Sequence, residues 1–228
     1  MLTRCPNPSC KHTFEVADDR QGKNGPCPVC GQVITFRSLD VLLAIERQHA
    51  LQAERRAAAA GSPALNQPPA PYRALLEDIR SLWNVGSIFR SADGAGFGQL
   101  FLCGITGTPP NKALAKTSLG AEEHVSWEHH AHALEILPTL IAERVQIVAL
   151  ERTEESVDLT EALEQGRIRT PLCLVVGNEV AGVSVETLGK ADIVCHLPMH
   201  GVKSSLNVAV AFGIAAYQIR QRAVPSHP

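Results

Sequence analysis

From residue 74 onward the chain is punctuated by apolar runs that are too short for most helices and too continuous for a strand with one wet face. ALLEDI (74–79), QLFLCGI (99–105), VQIVAL (145–150), TPLCLVVG (170–177) and DIVCHLPM (192–199) are each bounded by turn residues. Segments with helical spacing lie between them near 84–95, 131–143, 158–165 and 184–190, and a last one runs from about 205 to 221. A strand that is apolar at nearly every residue must be covered on both sides, and intervening helices supply the covers. The pattern predicts an α/β fold: a mostly parallel sheet with helices on both faces, in one domain spanning residues 73–228. No internal repeat is visible.

The front of the chain is built differently. Cys5-x4-Cys10 and Cys27-x2-Cys30 are embedded in Pro, Asn and Gly. Two short loops offering two thiolates each match tetrahedral zinc ahead of iron or a pair of disulfides, and with all four positions taken by sulfur the ion should be structural. Residues 1–37 are too few for a core of their own, so Thr13–Val16 and Val33–Phe36 read as two short strands held by the metal, a zinc ribbon. The other cysteines, Cys103, Cys173 and Cys195, sit inside apolar runs and read as small core side chains. From Ser38 to Ala60 the apolar spacing predicts a helix of about 20 residues capped by Ser38. Gly61–Pro71, with four prolines, cannot continue it, so residues 38–72 are expected to be a helix and linker. A chain starting near Pro71 is expected to fold alone.

Charge narrows the partners. With 21 Lys and Arg against 23 Asp and Glu, the net charge of −2 gives no global field for nucleic acid. Residues 1–60 carry eight basic and six acidic groups, so any basic surface is local; Lys11, Arg20, Lys23 and Arg37 are candidates for phosphate contacts or for protein docking. The longest weakly polar stretch, Leu206–Ile219, is too short to span a bilayer, and the first twenty residues lack the apolar core of a secretory signal. A cytoplasmic protein without membrane association is expected. The six acids between Glu151 and Glu164 read as a solvated helix.

Ligands of α/β proteins bind outside the carboxyl ends of the strands, which directs attention to the turns there. Asp93-Gly-Ala-Gly-Phe-Gly98 follows a helix and precedes a strand, the reverse of a dinucleotide loop, and reads as helix termination. Gly177-Asn-Glu-Val-Ala-Gly182 follows a strand but lacks the lysine of a phosphate loop, and Glu179 would repel a triphosphate. Leu197-Pro-Met-His-Gly-Val-Lys-Ser-Ser-Leu-Asn207 joins a strand to an apolar helix; Ser205 could cap that helix, whereas Asn207 at its head implies something polar held there.

Together with Asn84-Val-Gly-Ser-Ile-Phe-Arg90, these two loops resemble, in order and spacing, the three motifs of the SpoU (TrmH-like) family of RNA ribose 2′-O-methyltransferases in the SPOUT superfamily. The resemblance covers roughly residues 73–222. It implies a deep carboxyl-terminal trefoil knot whose loops bind S-adenosylmethionine, a homodimer through the knot region, and RNA (tRNA or rRNA) as substrate. Carried over by position, Gly177, Leu197, Met199 and Leu206 would line the cofactor pocket, and Asn84, Arg90, Glu179, Ser205 and Asn207 would form the catalytic surround. Arg90 would grip a phosphate and stabilise charge on the 2′-oxygen, since a guanidinium is hard to deprotonate; His200 and Glu179 stay open as proton acceptors. The rival class is a non-catalytic, zinc-stabilised RNA-binding or ribosome-assembly factor.

Overall fold

The computed structural model describes residues 1–43, 46–47 and 70–225. Four short strands open the chain: β1 (Leu2–Arg4), β2 (Thr13–Glu15), β3 (Asn24–Pro26) and β4 (Val33–Thr35). The two strands expected here are therefore four, and β2 and β4 do not pair with each other. β1 pairs antiparallel with β2, and β3 with β4. Each hairpin carries one cysteine pair in its turn, which places the two pairs face to face. The core of this unit is only Cys5, Cys27, Ile34 and Phe36. Residues 39–43 and 46–47 are helical, and Ser38 Oγ accepts from Val41 N at 3.4 Å. The rest of the expected helix, and the linker up to residue 69, lie outside the described residues.

The second unit contains β5 (Tyr72–Glu77), α1 (Leu82–Ala95), β6 (Gln99–Cys103), α2 (Lys112–Ser118), β7 (Ser126–His130), α3 (Ala133–Ala142), β8 (Gln146–Leu150), β9 (Val157–Asp158), α4 (Leu159–Glu164), β10 (Arg169–Thr170), β11 (Leu172–Val176), α5 (Val185–Leu188), β12 (Ile193–His196), α6 (Val208–Arg222) and β13 (Val224–Pro225). Tyr72 thus belongs to the sheet rather than to the linker. Seven strands form one sheet in the order β7-β6-β5-β11-β8-β12-β9, every pair of it parallel. The expected α/β architecture is present, and the sheet is entirely parallel.

Side-chain alternation divides the core into two layers, as the period of a strand requires. Ala74 and Leu76 of β5, with Leu172, Leu174 and Val176 of β11, face the layer under α1, α4 and α6, where Phe89 and Phe212 are fully buried. Leu75, Cys173 and Val175 face the opposite layer with Leu137 and Leu140 of α3. Gly96 ends α1 as a left-handed cap, which is the termination expected of its glycine cluster. Among the described residues no helix is long and apolar enough to cross a membrane.

The two units touch through buried charge. Arg37, read above as a candidate phosphate contact, has a side chain only 14% exposed and pairs with Asp78 and, at 3.8 Å, with Glu77 at the end of β5. Burial opposes the guanidinium's charge, but Asp78 and Glu77 outweigh it. The same contact includes Thr35 N, which donates to Glu186 Oε1 at 2.7 Å. A charge removed from water must find a partner, and this one found it inside the protein rather than on a nucleic acid.

Candidate active site

The carboxyl ends of β8, β11 and β12 open into a cavity of about 350 Å³. Its floor is the turn after β11. Asn178 and Gly182 exchange backbone hydrogen bonds of 3.0 and 2.9 Å, closing the loop on itself. A side chain at Gly177 would overlap the backbone of Gly182, so only glycine permits the closure. Asn178 Oδ1 accepts from Val180 N and Ala181 N, and its Nδ2 donates to the carbonyl of Asp78 at 2.7 Å.

That closed loop aims Glu179 at the start of α1. Its carboxylate accepts from Arg80 N at 2.9 Å, Ser81 N at 3.1 Å and Asn84 Nδ2 at 2.8 Å. Partial burial pushes the carboxyl pKa up, but these donors outweigh it and hold it below its ordinary value. The positive end of the helix favours the same charge. Asn84 Oδ1 in turn accepts from Asn207 Nδ2 at 3.1 Å. Asn207, not Ser205, caps α6: its Oδ1 accepts from Ala209 N and Val210 N. An asparagine heads an apolar helix because one end of its amide ends the helix while the other holds Asn84.

Gly177, Glu179, Leu197, Met199, Ser205, Leu206 and Asn207 all line the cavity, and Asn84 joins them through its two hydrogen bonds. Arg90 does not join them. It follows Asn84 by six residues on α1, which is about 9 Å along the axis and 240° around it, and its exposed guanidinium makes no hydrogen bond or ion pair among the described residues. Sequence reasoning missed Glu151. Placed above in a solvated acidic run, it instead enters the cavity, accepting from Val183 N at 2.9 Å and Arg152 N at 2.8 Å. Its position immediately after β8, at a strand's carboxyl end, was the available signal.

In the ribbon, the four thiol sulfurs of Cys5, Cys10, Cys27 and Cys30 lie within 4.8 Å of one another. Cys5 Sγ and Cys30 Sγ are 3.6 Å apart, and Cys10 Sγ and Cys27 Sγ 3.8 Å. These separations exclude disulfides, which need about 2.05 Å. Four sulfurs about 2.3 Å from a tetrahedral ion stand about 3.8 Å apart. The donor set fits that geometry. Among the described residues this is the only such group of metal-ligating side chains.

An all-parallel sheet with a cavity and an amide–carboxylate cluster at the carboxyl ends of its strands defines the class, an α/β ligand-binding domain carrying a four-cysteine ribbon. The model of the SpoU rRNA Methylase family matches residues 71–217, and the chain belongs to that family. It is 29% identical over 159 residues to a 23S rRNA (guanosine-2′-O-)-methyltransferase, RlmB, of Vibrio parahaemolyticus, covering 69% of this chain and 62% of the relative. It is 26% identical over 147 residues to the tRNA (guanosine(18)-2′-O)-methyltransferase of Escherichia coli, covering 64% and 62%. The chain thus spans 62% of the length of each of these relatives. Among solved structures, an AdoMet-bound rRNA methyltransferase from Sinorhizobium meliloti superposes with a TM-score of 0.60 at 30% identity, over 68% of this chain and 57% of that one. An A. aeolicus TrmH/SpoU tRNA modifying enzyme superposes at 0.60 with 26% identity, over 81% and 84%.

Proposed function

We propose that this chain is an S-adenosylmethionine-dependent methyltransferase acting on a ribose 2′-hydroxyl of tRNA or rRNA. The observation that carries the reading is the hydrogen-bonded chain Glu179–Asn84–Asn207, which joins all three family motifs at the edge of one cavity. The methyltransferases among its relatives support it. At about 350 Å³ the cavity lies within the range of small-cofactor sites, and its apolar wall of Leu197, Met199 and Leu206 beside the backbone of Gly177 suits the adenosine of a nucleoside whose amino-acid tail is joined through a sulfonium. S-adenosylmethionine bound there supplies the electrophilic methyl group.

The residues around it then have separate tasks. Glu179, saturated by three donors and lowered in pKa, is a poor base; it fixes Asn84 and the start of α1. Asn84 and Asn207 orient the ribose, and the Ser205 hydroxyl offers a further polar contact. Arg90, carried over from the first family motif although it stands apart from this cavity within one chain, is assigned the neighbouring phosphate and the negative charge developing on the oxygen, acting by orientation and electrostatics. The proton goes to an acceptor outside the Glu179 cluster, and His200 on the loop after β12 is the nearest in sequence.

Three further parts belong to this reading. The ribbon holds one structural zinc through Cys5, Cys10, Cys27 and Cys30. The chain divides into a ribbon (1–37), a helix and linker (38–71) and a methyltransferase domain that begins at Tyr72 of β5, and it works in the cytoplasm. β11 and β12 insert between earlier strands of the sheet, which supports a knotted carboxyl terminus. Val210, Ile214 and Tyr217, spaced along one side of α6 and 40–50% exposed, support a homodimer through that helix.

The decisive experiment maps ribose methylation in total RNA from cells with and without the protein, then incubates the purified chain with S-adenosylmethionine and RNA from the deficient cells. One or a few 2′-O-methyl marks should vanish in the deficient cells and reappear in vitro. No transfer to any RNA overturns the reading.

A further inference from the structure

A second cavity, of about 510 Å³, separates the ribbon from the methyltransferase domain. We propose that this cleft is a nucleotide subsite, holding an RNA residue next to the one being methylated, with Arg80 on its phosphate. The proposal rests on the RNA-modifying reading above and says where the substrate lies.

The position comes first. Gln21, Asn24 and Phe36 of the ribbon form one wall, and Arg80, Val180 and Ser184 of the domain form the other. The stretch from Asn178 to Gly182 lines both cavities except at Glu179, which lines the cofactor cavity alone. Arg80 also donates its backbone N–H to Glu179. A phosphate on the Arg80 side chain therefore lies one residue from the cluster that orients the ribose.

The cleft is also preformed. Its two walls are fixed by the buried pairing of Arg37 with Asp78 and Glu77 and by the hydrogen bond from Thr35 N to Glu186. A ligand therefore need not spend binding energy ordering its own site.

The chemistry suits a nucleotide. Of the charged side chains lining the cleft, Arg37 and Asp78 satisfy one another, which leaves Arg80 exposed and unpaired among the described residues. Its planar fork matches a phosphodiester. Asn24 Oδ1 already accepts from Thr35 Oγ1 at 2.9 Å, so its amide N–H groups are left for an acceptor. Gln21 is exposed and offers both a donor and an acceptor. Splayed-out RNA bases are recognised by such polar edges in a pocket of this size.

The test uses the full chain with tRNA and rRNA from cells lacking the protein. Arg80→Ala should weaken RNA binding about tenfold and lower the slope of log K against log salt by about one, the mark of one lost phosphate contact. Gln21→Trp, which fills the cleft from its other wall, should raise KM for RNA several-fold more than it lowers kcat, with the salt slope unchanged. Calorimetric affinity for S-adenosylmethionine, together with thermal midpoints, reports whether the loop stays folded in each variant. Wild-type RNA affinity and salt slope in Arg80→Ala, with wild-type KM in Gln21→Trp, overturn the subsite. Absence of methyl transfer by the wild-type chain overturns the functional reading instead, and RNA binding by the variants still judges the cleft.

Discussion

The ribbon and the α/β domain reach a fixed structure by opposite means. The domain buries two continuous apolar layers, including the fully buried Phe89, Phe97 and Phe212, so its fold follows from the hydrophobic effect. The ribbon buries two aliphatic or aromatic side chains, Ile34 and Phe36, with two cysteines. Below about 40 residues a metal or disulfides usually make up the difference. If the four cysteines hold zinc as proposed, one region depends on an ion, whereas the other depends on packing that no single ligand supplies. They meet at Arg37, where neither means applies and paired charge holds the contact.

The sharpest way to break that comparison is to remove the metal. Cys27→Ser with Cys30→Ser should abolish zinc binding and unfold residues 1–37, because the binding free energy of such sites, about 10–16 kcal/mol, is also their folding free energy. Metal analysis should fall from one equivalent to none, and amide signals of the α/β sheet should persist. Full zinc retention would show that these cysteines are not the ligands.

Next in size is the loss of turnover in Arg90→Ala, about 10²–10³-fold with cofactor affinity spared, the scale of a removed oxyanion donor. Arg90→Lys should fail almost as badly because an ammonium lacks the planar fork. Methyl transfer measured beside calorimetry separates the outcomes. Lost cofactor binding would instead make Arg90 part of the pocket.

An effect of similar size tests the junction. Arg37→Ala should destabilise the domain by about 3–5 kcal/mol at neutral pH, since Glu77 and Asp78 are left buried without a countercharge. Burial already raises the Glu77 pKa above its ordinary value despite Arg37. A carboxyl raised in the folded state penalises folding at pH above that raised value and ceases to do so once pH falls below its unfolded value. The gap between variant and wild type should therefore narrow as pH drops toward about 4.5. A chain beginning at Pro71 should keep its fold and show a weaker pH dependence, because losing the ribbon also lets water reach the two acids. Denaturant titrations at several pH values check both; a gap independent of pH would mean that the charges are not the cause.

The smallest effect concerns the Glu179 cluster. Its folded pKa is lowered, so its contribution is present above the unfolded value and is lost only as pH falls through the folded one. Cofactor affinity should then hold through pH 5 and decline only below the ordinary carboxylate range. Calorimetry across that range measures it, and a decline beginning near pH 6 would point to another group.

The parts legible in the sequence were those with a repeating or spaced signature. Continuous apolar runs marked β5, β6, β8, β11 and β12, and four spaced cysteines marked the ribbon. Ser126-Trp-Glu-His-His130 gave no such sign. As β7 it is the sheet's edge strand, with only His129 buried, so its polar residues hide its conformation. The seven residues of α2 were too few to display a period, although Asn111, whose Oδ1 accepts from Ala113 N, marked its start. Glu151 was lost in an acidic run because the sequence does not show that the strand before it ends at a cavity. Arg37 pairs with acids some 40 positions later, and a lone arginine carries no mark of such a partner.

The contact at Arg37 also limits how the chain's parts can be exchanged. A domain taken from a relative without this ribbon would have to offer acids where Glu77 and Asp78 stand, or the incoming arginine would be stranded. The reverse exchange would strand the acids. Asp78 adds a backbone condition, because its φ of 56° is left-handed and its carboxylate accepts from Ile105 N at 3.0 Å, so a neutral isostere there must also reproduce a turn. The ribbon and the end of β5 therefore have to be exchanged together. Chimeras that move residues 1–37 should succeed only when positions 77 and 78 travel with them.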